Sequence, residues 1–195
     1  MSRTGTLHST GVDPIRDDKL PIFTIGHATR SIAEFVDLLR AVNVQLVVDI
    51  RRIPRSRANP QFNSDILDGA LSRRQIGYMQ IAGLGGRRAK SGMPDDVNGF
   101  WDNRSFHNYA DYALSDEFRM ALDQLLEIAS EQRTAIMCAE AVWWRCHRRI
   151  VADYLIAAGR QVFHLMDIDD IRPAGLTEGA VLCDDGLHYP RVTNV

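Results

Sequence analysis

Alternating strand-like and helix-like segments predict an α/β fold: a three-layer, Rossmann-like domain with a mostly parallel sheet flanked by helices. Three observations carry this. PIFTIGH (21–27) is a short run rich in β-branched and aromatic residues, which reads as a strand. VQLVVDI (44–50) is continuously apolar, as in a strand buried on both faces. Between them lies a helical repeat, so the three make a strand–helix–strand unit with a right-handed crossover.

The elements follow in order. Ser31 and Glu34 have capping-box spacing, and Ile32, Phe35, Val36, Leu39 and Val42 then recur at helical intervals. Pro54 and Pro60 break the chain after the second strand. A weaker helix is expected over 63–75 and a third strand over 77–83. The polar, glycine-rich segment 84–105 is expected to be a functional or mobile loop. From Ser115, the spacing of Phe118, Leu122, Leu125 and Ala129 predicts a long helix. A fourth strand covers TAIMCA (134–139), a helix runs from Cys146 to Ala158, and Gly159 stands where a left-handed C-terminal residue belongs. QVFHLMDI (161–168) is a fifth strand, and a short C-terminal hairpin is expected to end near Tyr189.

At 195 residues and 45% hydrophobic, the chain suits one domain over 21–195, with residues 1–20 as a flexible leader. A net charge of −2 excludes bulk attraction to nucleic acid but not a local basic patch. No run approaches the roughly 20 apolar residues that span a bilayer, and the N-terminus lacks a signal-peptide core. A cytoplasmic location with Cys138, Cys146 and Cys183 reduced is therefore expected, with no membrane partner. Oligomeric state is not readable from the sequence.

In doubly wound folds ligands bind beyond the carboxyl ends of the strands, and four polar segments fall there. His27 follows the first strand directly; it either donates to an anion, acts as an acid–base group, or ties down its loop. DIRRIPRSR (49–57) sets Arg51, Arg52, Arg55 and Arg57 beside Ser56, groups that suit a phosphate or carboxylate. Asp49 would act as a general base or, the favoured role, orient these arginines. In LGGRR (84–88), Gly85 would let backbone amides approach an anion, although phosphate-loop and dinucleotide spacings are absent and no cofactor is called for. FHNYADY (106–112) is an aromatic patch that lines either the pocket or the core.

The fourth segment, CAEAVWWRCHR (138–148), is the richest. Its cysteines have three open readings. One is a nucleophilic thiol, with Cys146 activated by the positive end of the following helix and His147 or Glu140 carrying protons. The second is a zinc site, which the adjacent Cys-His pair and the lack of C-x2-C spacing disfavour, so no metal is expected. The third is a pair of buried thiols that only pack. Glu140, set between apolar strand residues and two tryptophans, is expected to be partly desolvated, with either a raised pKa or a partner, which Arg148 or Arg51 could supply. Trp144 stacks on a base, lids the pocket or packs on the sheet.

These segments, together with TIGHATRS (24–31) and DIRRIPRSRANPQF (49–62), resemble the bacterial and archaeal family called domain of unknown function 488, in order from about residue 21 to 190. The resemblance places family motif residues at Gly26, His27, Asp49, Arg51, Pro54, Ser56, Phe62, Gly85, Cys138, Glu140, Cys146, His147 and Arg148. It departs at Gln80, where members often have His, and near 172–177, where a family His is absent. The family implies no established activity. The expectation from the residues is an enzyme, a hydrolase or transferase, acting on a phosphate-bearing nucleotide or nucleic acid. Arg51, Arg52 and Arg148 would grip the anion, and His27, Glu140 and His147 would move protons. The alternatives are a non-catalytic nucleotide or nucleic-acid binding module and a scaffold whose motif residues only lock loops together.

Overall fold

A computed structural model describes residues 19–191, so the leader expected over 1–20 falls almost wholly outside the described residues. The elements are β1 (Ile22–Gly26), α1 (Ile32–Ala41), β2 (Leu46–Asp49), α2 (Ser64–Ser72), β3 (Gly77–Gln80), α3 (Arg104–Tyr112), α4 (Asp116–Glu131), β4 (Thr134–Cys138), α5 (Arg148–Ala157), β5 (Val162–Asp167), β6 (Asp170–Pro173), β7 (Val181–Cys183) and β8 (Gly186–His188). The six-stranded sheet runs β3-β2-β4-β1-β5-β6. All neighbours are parallel except β5 and β6, and β7–β8 is the separate antiparallel hairpin.

Alternate residues of each strand face opposite layers. Phe23, Ile25, Val47 and Met137 pack with Phe35 and Leu39 of α1 and Leu67 and Leu71 of α2. Ile22, Val48, Ile136 and Val162 pack with Tyr109 of α3, Phe118 and Leu125 of α4, and Val151 and Leu155 of α5. The central strands are buried throughout, which is why they read as unbroken apolar runs. Helix α1 starts on the expected capping box: Ser31 accepts from the Glu34 amide while the Glu34 carboxylate accepts from the Ser31 amide at 2.7 Å. Gly159, with φ +75°, closes α5 as expected.

Three features depart from expectation. Residues 104–112, read as the end of a loop and an aromatic patch, form α3, whose first turn is capped by the Asn103 side chain. The segment before it is anchored on this helix, since Ser91 Oγ and Asn98 Nδ2 donate to the Asp111 carboxylate at 2.6 and 2.8 Å. Strand β6 adds an antiparallel edge beside β5. Helix α5 begins at Arg148 rather than Cys146, so Cys146 and His147 lie in the approach to the helix.

The connections fix where a crevice opens. Helices α1 and α2 carry the chain from β1 towards the β3 edge on one face, while α4 and α5 carry it back towards β5 on the other. Strands β1 and β4 are neighbours in register, with Gly26 opposite Cys138. Their outgoing chains therefore part to opposite faces, and a crevice opens above their carboxyl ends. No helix among the described residues is long and apolar enough to cross a membrane.

Candidate functional site

A cleft of about 670 Å³ opens at this divergence. Its walls bring together His27, Arg51, Arg52, Ser56, Cys138, Glu140, Cys146 and His147 of the residues expected from sequence. Arg55 and Arg87, from segments already singled out for their arginines, lie beside them, as do Phe106 and Tyr109 of the aromatic patch. Arg145, which stands one residue too far from Cys138 for the C-x5-R spacing of cysteine phosphatases, also lines it, as does Ser105, which had not been singled out.

Four anchors shape the floor. Asp49, fully buried at the end of β2, accepts from Arg51 Nε at 2.9 Å and from Tyr78 Oη at 2.8 Å, and the Arg51 backbone amide donates to it at 2.9 Å. Arg51 Nη2 also donates to the Phe62 carbonyl at 2.7 Å. Asp49 thus orients Arg51, the role expected of it, and lies behind the cleft rather than on its surface. Burial alone would favour a neutral Arg51, but the Asp49 carboxylate outweighs it and the guanidinium is held charged.

His27 is held by Arg51 Nη1, 3.2 Å from Nε2, and by its Nδ1, 3.0 Å from the Ala28 carbonyl. A guanidinium only donates, so Nε2 is the acceptor and Nδ1 carries the proton. Burial depresses the histidine pKa; the Ala28 carbonyl opposes this and the Arg51 charge adds to it. Its ring stacks on Phe62 at 4.3 Å. His147 is likewise neutral: burial brings it down to about 4, against the opposing pull of the Ile50 carbonyl 3.1 Å from Nε2.

The third anchor is Arg148. The sequence reading placed it on the ligand, but it is only 1% exposed and lies beneath the cleft. Its position follows from helical periodicity, because Arg148 shares the inward stripe of α5 with Val151 and Leu155. Nη1 donates to the Cys138 sulfur at 2.6 Å and to the Glu140 carbonyl at 2.7 Å, and Nη2 donates to the Ala141 carbonyl at 2.9 Å. Among the described residues no carboxylate pairs with it. A buried cation needs a counter-charge, and the sulfur of Cys138 is the group in contact that can supply one.

Gly26 permits this arrangement. A Cβ there would stand 1.8 Å from the Glu140 carbonyl oxygen and 2.8 Å from Arg148 Nη1. Gly85, expected to cradle an anion, instead lets two loops touch, since a Cβ would meet the Arg52 backbone nitrogen at 2.7 Å.

The fourth anchor is the pair of sulfurs. Cys138 Sγ lies 2.8 Å from Cys146 Sγ. Burial pushes the Cys138 thiol up, but the hydrogen bond from Cys146 and the charge of Arg148 outweigh it and bring it down to about 7. Cys146 moves the other way: burial raises its pKa well above the usual thiol value, and the neighbouring Cys138 raises it further. The expectation that the helix end activates Cys146 is therefore corrected. Cys146 precedes the helix, whereas Cys138, in contact with the guanidinium, is the sulfur on which negative charge is favoured.

Glu140 is also not as expected. Strand β4 ends at Cys138, so the Glu140 side chain already stands in solvent at the cleft lip, and Arg148 holds its backbone carbonyl instead. Trp144 is 41% exposed and outside the cleft lining, while Trp143 stacks on His164 at 4.3 Å. Ser56 braces its own loop, its hydroxyl accepting from the Asn59 amide at 3.0 Å. One group of metal-type donors escaped the sequence reading: Cys183, Asp185 and His188 have ligand atoms within 4.8 Å of one another on the β7–β8 hairpin.

A family model described as domain of unknown function DUF488 matches residues 31–155. The chain belongs to this family. The matched DUF488 span includes β2, β4 with Cys138, α5 with Arg148, and the loops that carry Arg51 and Cys146, and begins after Gly26 and His27. No curated protein and no solved structure matches the chain.

Proposed function

We propose that the cleft binds a phosphate-bearing ligand, a nucleotide or nucleic-acid end, and presents it to the Cys138 thiolate for a hydrolytic or transfer reaction. The observation that carries this reading is the charge of the rim. Arg52, Arg55, Arg87 and Arg145 border the cleft, all exposed, and none makes an ion pair among the described residues. Glu140 is the one carboxylate on the same wall. In a chain of net charge −2 this is a local concentration of cations, and guanidinium forks match phosphate oxygens. In this reading Arg51 stiffens the floor, the sulfur is the nucleophile, and Glu140 at the lip is the proton carrier.

A non-catalytic binding module is the second reading, favoured by the two neutral histidines, whose ring nitrogens face fixed partners. Binding of a nucleoside triphosphate and of a short single-stranded oligonucleotide, titrated at several salt concentrations, tests the shared premise. Affinity should fall steeply with salt, and Arg52→Ala with Arg145→Ala should reduce the logarithmic salt slope by about one per arginine. Salt-independent binding, or an unaltered slope in the double variant, would refute the anion reading. Turnover that vanishes in Cys138→Ser while binding persists separates the enzyme from the binding module.

A further inference from the structure

Beneath the arginine rim the two sulfurs form a reaction centre of their own. Both border the floor of the cleft and are only 1% and 3% exposed, so a small uncharged molecule is the kind of reactant that can reach them while bulky or charged ones are kept out. The third cysteine, Cys183, lies apart on the β7–β8 hairpin. We propose that Cys138 and Cys146 are a redox-active dithiol that small hydroperoxides oxidise to a disulfide, with Cys138 attacking and Cys146 resolving. The proposal does not depend on which ligand the arginines hold.

The roles follow from the contacts. Arg148 Nη1 touches Cys138 Sγ, so negative charge gathers on that sulfur, and the thiolate is the nucleophilic form. The thiolate electron pair attacks the hydrogen-bearing peroxide oxygen, the O–O bond breaks, and hydroxide or alkoxide leaves, taking up the proton that the Cys138 thiol had released. Cys138 is then a sulfenic acid. Cys146 Sγ, already at 2.8 Å, attacks the Cys138 sulfur and expels its hydroxyl as water while giving up its own proton. Two thiols and one hydroperoxide become one disulfide, one alcohol (or water) and one further water. The sulfurs need to close only from their present contact to about 2.05 Å, the length of a disulfide bond.

The same contacts set the direction in which the couple leans. In the reduced protein the thiolate neutralises a buried guanidinium. In the oxidised protein the sulfur is neutral, and Arg148 keeps only two carbonyl partners for its charge. The reduced form is thus stabilised selectively, which makes the disulfide easy to reduce. This disulfide should lower the stability of the fold, opposite to the usual effect of a cross-link.

The test uses the full chain with Cys183→Ser as background, treated with one equivalent of hydrogen peroxide. Expected are the loss of two thiols, an intact mass lower by two hydrogens, and a peptide joining Cys138 to Cys146. Adding Cys146→Ser should stop the reaction at a dimedone-trapped sulfenic acid on Cys138. Adding Cys138→Ser should slow peroxide consumption by roughly tenfold or more. The oxidised protein should melt below the reduced one and be reduced again by millimolar glutathione. The proposal is overturned if peroxide consumption matches that of free cysteine, if the trapped acid sits on Cys146, or if the disulfide raises the melting temperature. Should Cys138→Ser not fold, the mapping of the parent and of the Cys146→Ser trap decides alone.

Discussion

Replacing Arg148 by methionine keeps an unbranched apolar stem on the inward stripe of α5 and removes the guanidinium. Two effects follow from its contacts. The first is on Cys138. With the cation gone, burial acts on the thiol with less opposition, and its pKa rises from about 7 to the ordinary thiol range or beyond. At neutral pH the thiolate fraction then falls from about one half to about 3%, a loss of roughly fifteenfold. The second effect is on the loop after β4. The Glu140 and Ala141 carbonyls lose charge-assisted bonds, which costs on the order of 3 kcal/mol, offset in part because a buried charge is also removed. Iodoacetamide alkylation of Cys138, followed from roughly pH 5 to 9 in a Cys183→Ser background, reads the first effect; urea unfolding reads the second. Arg148→Lys separates them, because an ammonium keeps the charge near sulfur without the fork that reaches both carbonyls. An alkylation midpoint that stays in place in Arg148→Met would refute the assignment of the thiolate to this ion pair.

Two further outcomes are expected. His147 and His164 have folded-state pKa values near 4, both depressed first by burial from 6.5. Their contribution to stability is therefore complete above about pH 6.5 and is lost as pH falls towards 4, at up to about 1.4 kcal/mol per pH unit for each histidine. Urea midpoints measured across this window should show the slope, and His164→Gln should flatten it. Gly26→Ala should destabilise by about 1–3 kcal/mol or more, because the new methyl overlaps the Glu140 carbonyl and β1 and the loop after β4 must separate. A melting temperature equal to the parent's would show that the loop has room to move.

Most element types were legible because those elements obey a local rule; α3 and the edge strand β6 were not. The strands announced themselves as β-branched and apolar runs, and the capping box at Ser31 marked the start of α1. Strand order was not legible: nothing in IFTIG states that its neighbours are residues 134–138 and 162–165, since lateral order depends on which face each crossover takes. Helix α3 escaped because its aromatic and polar residues carry weak intrinsic helix preference, and its position is set by tertiary anchors such as Tyr109 Oη on the Leu84 carbonyl. At the site, arginines were legible as a class but not by role. Arg51 and Arg148 spend their donors inside the protein, while Arg52, Arg55, Arg87 and Arg145 face outward, a division decided by side-chain direction. Glu140 illustrates the sensitivity of burial to one boundary: two residues past a strand end, a side chain that composition would bury stands in water.

The position of β1 has a consequence for how the chain reaches its native state. This strand, all five residues buried, hydrogen-bonds only to β4 and β5 within the sheet, the first of which begins at residue 134. During synthesis the segment Ile22–Gly26 therefore waits without a strand partner until more than half the polypeptide has emerged. Until then its apolar side chains and unpaired peptide groups are available to other chains, which makes truncated or stalled products aggregation-prone. Pairing across so long a loop carries a large closure entropy, so insertion of β1 between β4 and β5 is expected to be a late and slow event. The same event brings Gly26 beside Cys138 and completes the sulfur–guanidinium cluster, so the candidate reactive centre comes into being only as folding ends.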